Sequence, residues 1–117
     1  MSYMLLIIEP TGQRSTRTEV EGREVYARMQ RFGEALKEEG KLKAVESLAS
    51  QREAVRVSSR GGKAQLLDGP FAEAKEMIGG FFLLDGVSRD EALAIAQRCP
   101  AAEWATVEVR ALAPCYE

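Results

Sequence analysis

Within nine residues, Asp68-Gly69-Pro70-Phe71 and the following Lys75-Glu76 present two carboxylates, an ammonium group and an aromatic ring. A carboxylate at a strand end can act as a general base or anchor a ligand, and Asp68 is the residue assigned that catalytic role. The same Asp also suits a purely structural use. A short helix beginning near Pro70 would take Asp68 as its cap, since the carboxylate accepts free backbone N–H groups and Pro fits the first helical turn. Lys75 and Glu76 are candidate binding residues: an ammonium near two carboxylates can hold an anionic substrate, or form a surface ion pair worth under about 1 kcal/mol. Glu73 falls in the first turn of the same helix, where its dipole favours an acid. Phe71 is either packed into the core or a dimer seam, or is the aromatic wall of a pocket. Tyr26 completes the set, with a hydroxyl able to turn into a cleft between helix and sheet.

The absence of histidine among 117 residues removes more chemistry than any residue present suggests. Nucleophiles activated by histidine, histidine metal ligands and histidine proton shuttles are all excluded, so acid/base work falls to Asp, Glu, Lys, Tyr or Cys. Cys99 and Cys115 have neither a CxxC partner nor the electropositive setting of a catalytic thiolate. Asp68, Glu73 and Glu76 lack calcium-loop spacing, and no metal and no cofactor is assigned. Gly79-Gly80 lacks the spacing of a phosphate-binding loop and reads as a bulge or a close backbone approach.

Composition narrows the class further. Apolar residues make up 45% and charged residues 29%, the profile of a globular chain, and the length suits one domain over residues 1–117. Sixteen basic and eighteen acidic side chains alternate in sign, without the basic stripe of a nucleic-acid binder. Two cysteines do not make a disulfide framework, which points to a reducing, cytoplasmic setting. The apolar run from Met4 to Ile8 has no basic region before it and is too short for a signal peptide or a membrane span.

The elements that must position these side chains follow from periodicity. Residues 3–8 are apolar at every position, as in a strand covered on both faces. Thr18-Glu19-Val20-Glu21 is a capping box, and Val25, Met29, Phe32 and Leu36 form the apolar stripe of a helix that Gly40 ends. Residues 43–48 form a second strand, and 54–58 and 63–67 pair across Gly61-Gly62 as a hairpin. Residues 81–84 are again apolar on both faces. Ser88-Arg89-Asp90-Glu91 opens a second helix with Ala92, Leu93, Ala96 and Cys99 on its inner face, stopped by Pro100, and residues 106–110 form the last strand.

The order is βαββαβ with a hairpin inserted between its halves: an α+β, ferredoxin-like chain. In that topology the first and third main strands are central, which matches the two doubly apolar segments. Two helices cover only one face of a four-stranded sheet. The other face would expose a large apolar patch, so a homodimer packed sheet against sheet is expected.

The run Leu67-Asp68-Gly69-Pro70-Phe71-Ala72-Glu73-Ala74-Lys75-Glu76, followed by Gly79-Gly80-Phe81-Phe82, resembles the motif that names the DGPF group of the YCII-related family. The opening Tyr3-Met4-Leu5-Leu6-Ile7, and the closing Arg98-Cys99-Pro100 with Thr106-Val107-Glu108-Val109-Arg110, resemble the two ends of the same bacterial group. The resemblance implies a dimeric α/β-barrel of ferredoxin-like subunits. It also implies two functions. One is a small cofactorless enzyme acting on a small organic molecule, although the broader family's proposed histidine–aspartate pair has no histidine to occupy here. The other is a non-catalytic, ligand-binding or regulatory domain associated with an alternative sigma factor.

Overall fold

A computed structural model describes residues 1–116. Its strands are β1 (Tyr3–Pro10), β2 (Leu42–Ser47), β3 (Val55–Arg60), β4 (Lys63–Asp68), β5 (Glu76–Leu84) and β6 (Thr106–Ala111), and its helices are α1 (Glu19–Glu38) and α2 (Arg89–Arg98). Short 3-10 turns precede α1 (Gln13–Thr16), precede β3 (Gln51–Glu53) and follow α2 (Pro100–Glu103).

The main sheet runs β2-β5-β1-β6, and all of its neighbours are antiparallel. This is the ferredoxin-like order, with the two doubly apolar strands in the middle as the sequence predicts. β3 and β4 pair only with each other, from Val55 opposite Asp68 to Arg60 opposite Lys63. Gly61 and Gly62 join them with φ of 57° and 80°, a left-handed pair that a two-residue hairpin turn requires.

Both helices start at capping boxes. The Thr18 hydroxyl accepts from the Glu21 N–H, whose carboxylate accepts from Thr18 N–H, and Ser88 and Glu91 repeat the arrangement. Gly40, at φ 72°, closes α1. Both helices pack on one face of the sheet. There Tyr3, Leu5 and Ile7 of β1 and Phe82 and Leu84 of β5 meet Phe32 and Leu36 of α1 and Ala92, Ile95 and Ala96 of α2. Phe32 and Phe82 meet edge to face, with ring centroids 5.2 Å apart. The alternate residues Met4, Leu6, Ile8, Phe81 and Leu83 are only half-buried, and Ile78 is exposed.

Two boundaries differ from the sequence reading. β1 continues through Glu9 and Pro10, because these pair with Met77 and Glu76 of a β5 that begins five residues before Phe81. No helix forms at Pro70. Between the end of β4 and the start of β5 the chain makes one turn, closed by Ala74 N–H donating to the Phe71 carbonyl at 3.0 Å. Only four residues separate Phe71 from Glu76, too few for a capped helix, so Asp68 caps no helix and Glu73 lies in no helical turn.

Candidate functional site

The inner face of α1 changes character along its length. Phe32, Gly33 and Leu36 are buried against the sheet, whereas Val25 and Met29 are half-buried and Val20 and Tyr26 are exposed. The helix is thus seated at its C-terminal half and stands off at its N-terminal half. A cleft of about 700 Å³ opens beneath it. Ile7, Phe82 and Val45 contribute apolar floor from three strands, Val25 and Met29 the apolar roof, and Arg14, Arg17, Tyr26, Gln30 and Trp104 polar and aromatic walls. That volume and mixture match those of small-molecule sites generally.

One end of the cleft is built around a buried carboxylate. Glu9 continues the inward alternation of Tyr3, Leu5 and Ile7 and is only 6% exposed. Arg14 reaches it from the turn before α1, donating through Nη2 to Oε1 at 2.7 Å and through Nε to Oε2 at 3.1 Å. The same guanidinium donates to the carbonyls of Leu48 (2.8 Å) and Gly79 (3.4 Å). Arg14 therefore ties together β1, the end of β2 and the start of β5, with four of its five N–H groups engaged within the chain. A buried charge is tolerable only with this kind of pairing.

The two glycines of β5 make the arrangement possible. Gly79 sits in the register shift of β5 against β1, and a Cβ there would fall 1.7 Å from Glu9 Oε1. A Cβ on Gly80 would lie 2.7 Å from the Glu46 carbonyl of β2. Both features expected of this pair, a bulge and a close approach, are present.

Trp104 forms a further wall, held by Gln13 Nε2 donating to its carbonyl at 2.7 Å. The guanidinium carbons of Arg17 and Arg28 lie 5.9 and 5.2 Å from its ring centroid, within cation–π range. Arg28 also pairs with Glu103. Arg17 forms no ion pair or side-chain hydrogen bond among the described residues.

Of the five side chains expected from sequence to catalyse or bind, Tyr26 lines this cleft, and Asp68, Phe71, Lys75 and Glu76 do not. Asp68 is the exposed last residue of β4, Lys75 and Glu76 are exposed at the start of β5, and neither Lys75 nor Glu76 forms an ion pair among the described residues. Phe71 is buried, with the Arg56 guanidinium 3.9 Å above its ring. Gly69 N–H donates to the Ala54 carbonyl at 2.7 Å, and a Cβ at Gly69 would fall 2.0 Å from the Gln51 carbonyl. In the single chain, Asp68-Gly69-Pro70-Phe71 thus fastens the base of the hairpin. Among the described residues, no three Cys, Asp or Glu side chains converge in a way that would hold a metal ion. Among the described residues, no helix is long and apolar enough to cross a membrane.

Sequence reasoning passed over Glu9, Arg14, Arg17 and Trp104. A signal existed for Glu9 alone: the two-residue period of β1 carries its side chain to the buried face.

Comparison with known proteins places this geometry in context. The family model of the YCII-related domain matches residues 1–115. An uncharacterised protein of Rhizobium meliloti (strain 1021) is 42% identical over 78 residues, which are 65% of this chain and 63% of that protein. The match therefore spans less than two thirds of the relative's length.

Proposed function

The chain belongs to the YCII-related domain family, and from that premise we propose that it acts as a homodimeric small-molecule-binding domain whose ligand enters the cleft beneath the N-terminal half of α1. Within the family it falls in the group named for Asp68-Gly69-Pro70-Phe71, on the strength of that run. The observation that carries the functional reading is the cleft of about 700 Å³, with an apolar floor and a committed Glu9–Arg14 pair at one end.

A reading in which Asp68 serves as acid/base for a cofactorless enzyme finds less support. Asp68 is absent from the cleft lining and belongs to the hairpin. Binding without Asp68 chemistry is therefore the preferred function, and catalysis at Asp68 would need a second chain to bring it to a ligand.

The test is a thermal-shift screen against a metabolite library with three proteins: wild type, Gly22→Leu and Asp68→Ala. Gly22 lines the cleft, and a Cβ added there meets nothing within 4 Å, so Leu fills the entrance without disturbing the fold. A ligand at about a hundred times its dissociation constant adds roughly 2.7 kcal/mol. Ligands that stabilise wild type and Asp68→Ala but not Gly22→Leu are expected. Ligands lost with Asp68→Ala and retained by Gly22→Leu would move the site to the hairpin.

A further inference from the structure

The cleft is lined by three acids and three bases, but they differ in what they already hold. Glu9 and Arg14 neutralise each other, and four of the five N–H groups of Arg14 donate to Glu9 and two backbone carbonyls. Glu34 and Lys37 stand one turn apart on the distal half of α1, and Glu46 lies on β2. Arg17 is different. It stands immediately before the Thr18 cap, half-buried, with its guanidinium over Trp104. The acid that feels its charge is Glu21, whose carboxylate is already engaged by the Thr18 N–H and which forms no ion pair with Arg17 among the described residues.

Resting on the cleft reading, we infer that the ligand is a small organic anion. Its acidic head group is taken by Arg17, and its apolar body lies over Ile7, Val25, Met29 and Phe82. A guanidinium presents a planar fork of donors suited to carboxylate and phosphate oxygens. Its approach to the Trp104 ring holds it partly desolvated at the mouth of an apolar cavity, where a charged hydrogen bond is stronger than in water. Arg14 supplies the contrast: it has the same chemistry, but its charge is met by Glu9 and four of its five N–H groups are engaged within the chain, so it serves as a strut.

Trp104 is the single tryptophan of the chain and lines the cleft, so its emission reports occupancy directly. The experiment titrates wild type, Arg17→Ala, Arg17→Lys and Gly22→Leu with benzoate, phenyl phosphate and the neutral isostere benzamide, to about 10 mM. One of the two anions is expected to bind wild type at least about tenfold more tightly than benzamide. That preference should vanish in Arg17→Ala and return in part in Arg17→Lys, and the tighter anion identifies the head group. Equal affinity for benzamide and both anions, or an anion preference that survives Arg17→Ala, overturns the assignment to Arg17 while the cleft stands. Binding that is unchanged in Gly22→Leu overturns the cleft itself. Emission unmoved by every probe overturns the anion inference.

Discussion

At the scale of single residues, the Glu9–Arg14 pair is the most consequential contact in the chain. The side chain of Glu9 is 8% exposed and that of Arg14 35%, so removing the cation strands a carboxylate in a poorly solvated place. Arg14→Met is expected to cost about 3 kcal/mol, a fall in Tm of roughly 10 °C, measured by calorimetry. The double variant Glu9→Leu/Arg14→Met should regain part of that loss, because no charge is left buried. It should not regain all of it, because the carbonyls of Leu48 and Gly79 still lose a donor. If the double variant were no more stable than the single one, the charge would not be the cause.

The two thiols make a second residue-scale test. Burial pushes the Cys99 thiol up, the Ala101 N–H opposing only in part, whereas Cys115 is exposed. One equivalent should react promptly with a thiol reagent, and the second only after unfolding. Most of the candidate site was not legible in the sequence at this scale. Arg14 has Glu9 five positions away, but its other partners and that of Trp104 lie 34 to 91 positions away in the chain, and no local spacing encodes those contacts. Tyr26 was legible because it borders a helical stripe whose period is local.

At the scale of elements, the two capping boxes give helices α1 and α2 a shared acid sensitivity. Glu21 is held below its ordinary 4.5 first by the Thr18 backbone N–H, then by the Thr18 hydroxyl and, more weakly, by the charge of Arg17. Glu91 is held below 4.5 first by the Ser88 backbone N–H, with smaller help from Lys41 and the Ser88 hydroxyl. Asp85 is likewise held below 3.8, chiefly by the Ser2 hydroxyl and the Gly86 N–H. A carboxylate whose folded pKa is depressed contributes stability that is complete above its unfolded value and disappears as pH falls through the folded one. Stability should therefore be level above the ordinary carboxylate range and decline as pH drops below about 4.5. Glu21→Gln/Glu91→Gln should flatten that decline, as read by urea melts at a series of pH values, while lowering Tm by several degrees near neutrality. An unaltered acid slope would assign it to other carboxylates. These boxes, the Gly61-Gly62 turn and the two doubly apolar strands were legible because each is a local signal with one structural meaning. The turn after Asp68 was misread for a physical reason: Asp and Pro suit a helix start, but the space is set by Gly69 against the Gln51 carbonyl and by Phe71 under Arg56, contacts with the far side of the hairpin.

At the scale of the whole molecule, the chain is more extended than its length requires. A chain this long packs to a radius of gyration of about 13 Å when compact, and this one measures 16.1 Å within extents of 46 × 42 × 18 Å. The hairpin accounts for part of the excess. It pairs with nothing else, and Val57 and Leu66, directly opposite each other, are both 68% exposed. The outer face of the main sheet is the larger unmet surface. Register places Leu6 beside Phe81, Met4 beside Leu83 and Ile8 beside Ile78, an apolar stripe down the two central strands. The same register puts Glu108 and Arg110 on that face along β6, next to Leu6 and Met4. An apolar stripe bordered by both signs can meet its own copy across a two-fold axis, so a second copy of this chain is the expected partner of this face. Sedimentation at micromolar concentration is expected to give twice the 12.9 kDa chain mass. Leu6→Arg should halve it, since taking a cation out of water into the middle of an apolar seam costs more than its pairing returns. The variant should still fold, because Arg at position 6 stands beside Glu108 within its own sheet, and the far-ultraviolet spectrum should be unchanged. A wild-type monomer would refute the dimer, and a Leu6→Arg protein that remains dimeric would move the association from the sheet face to the hairpin.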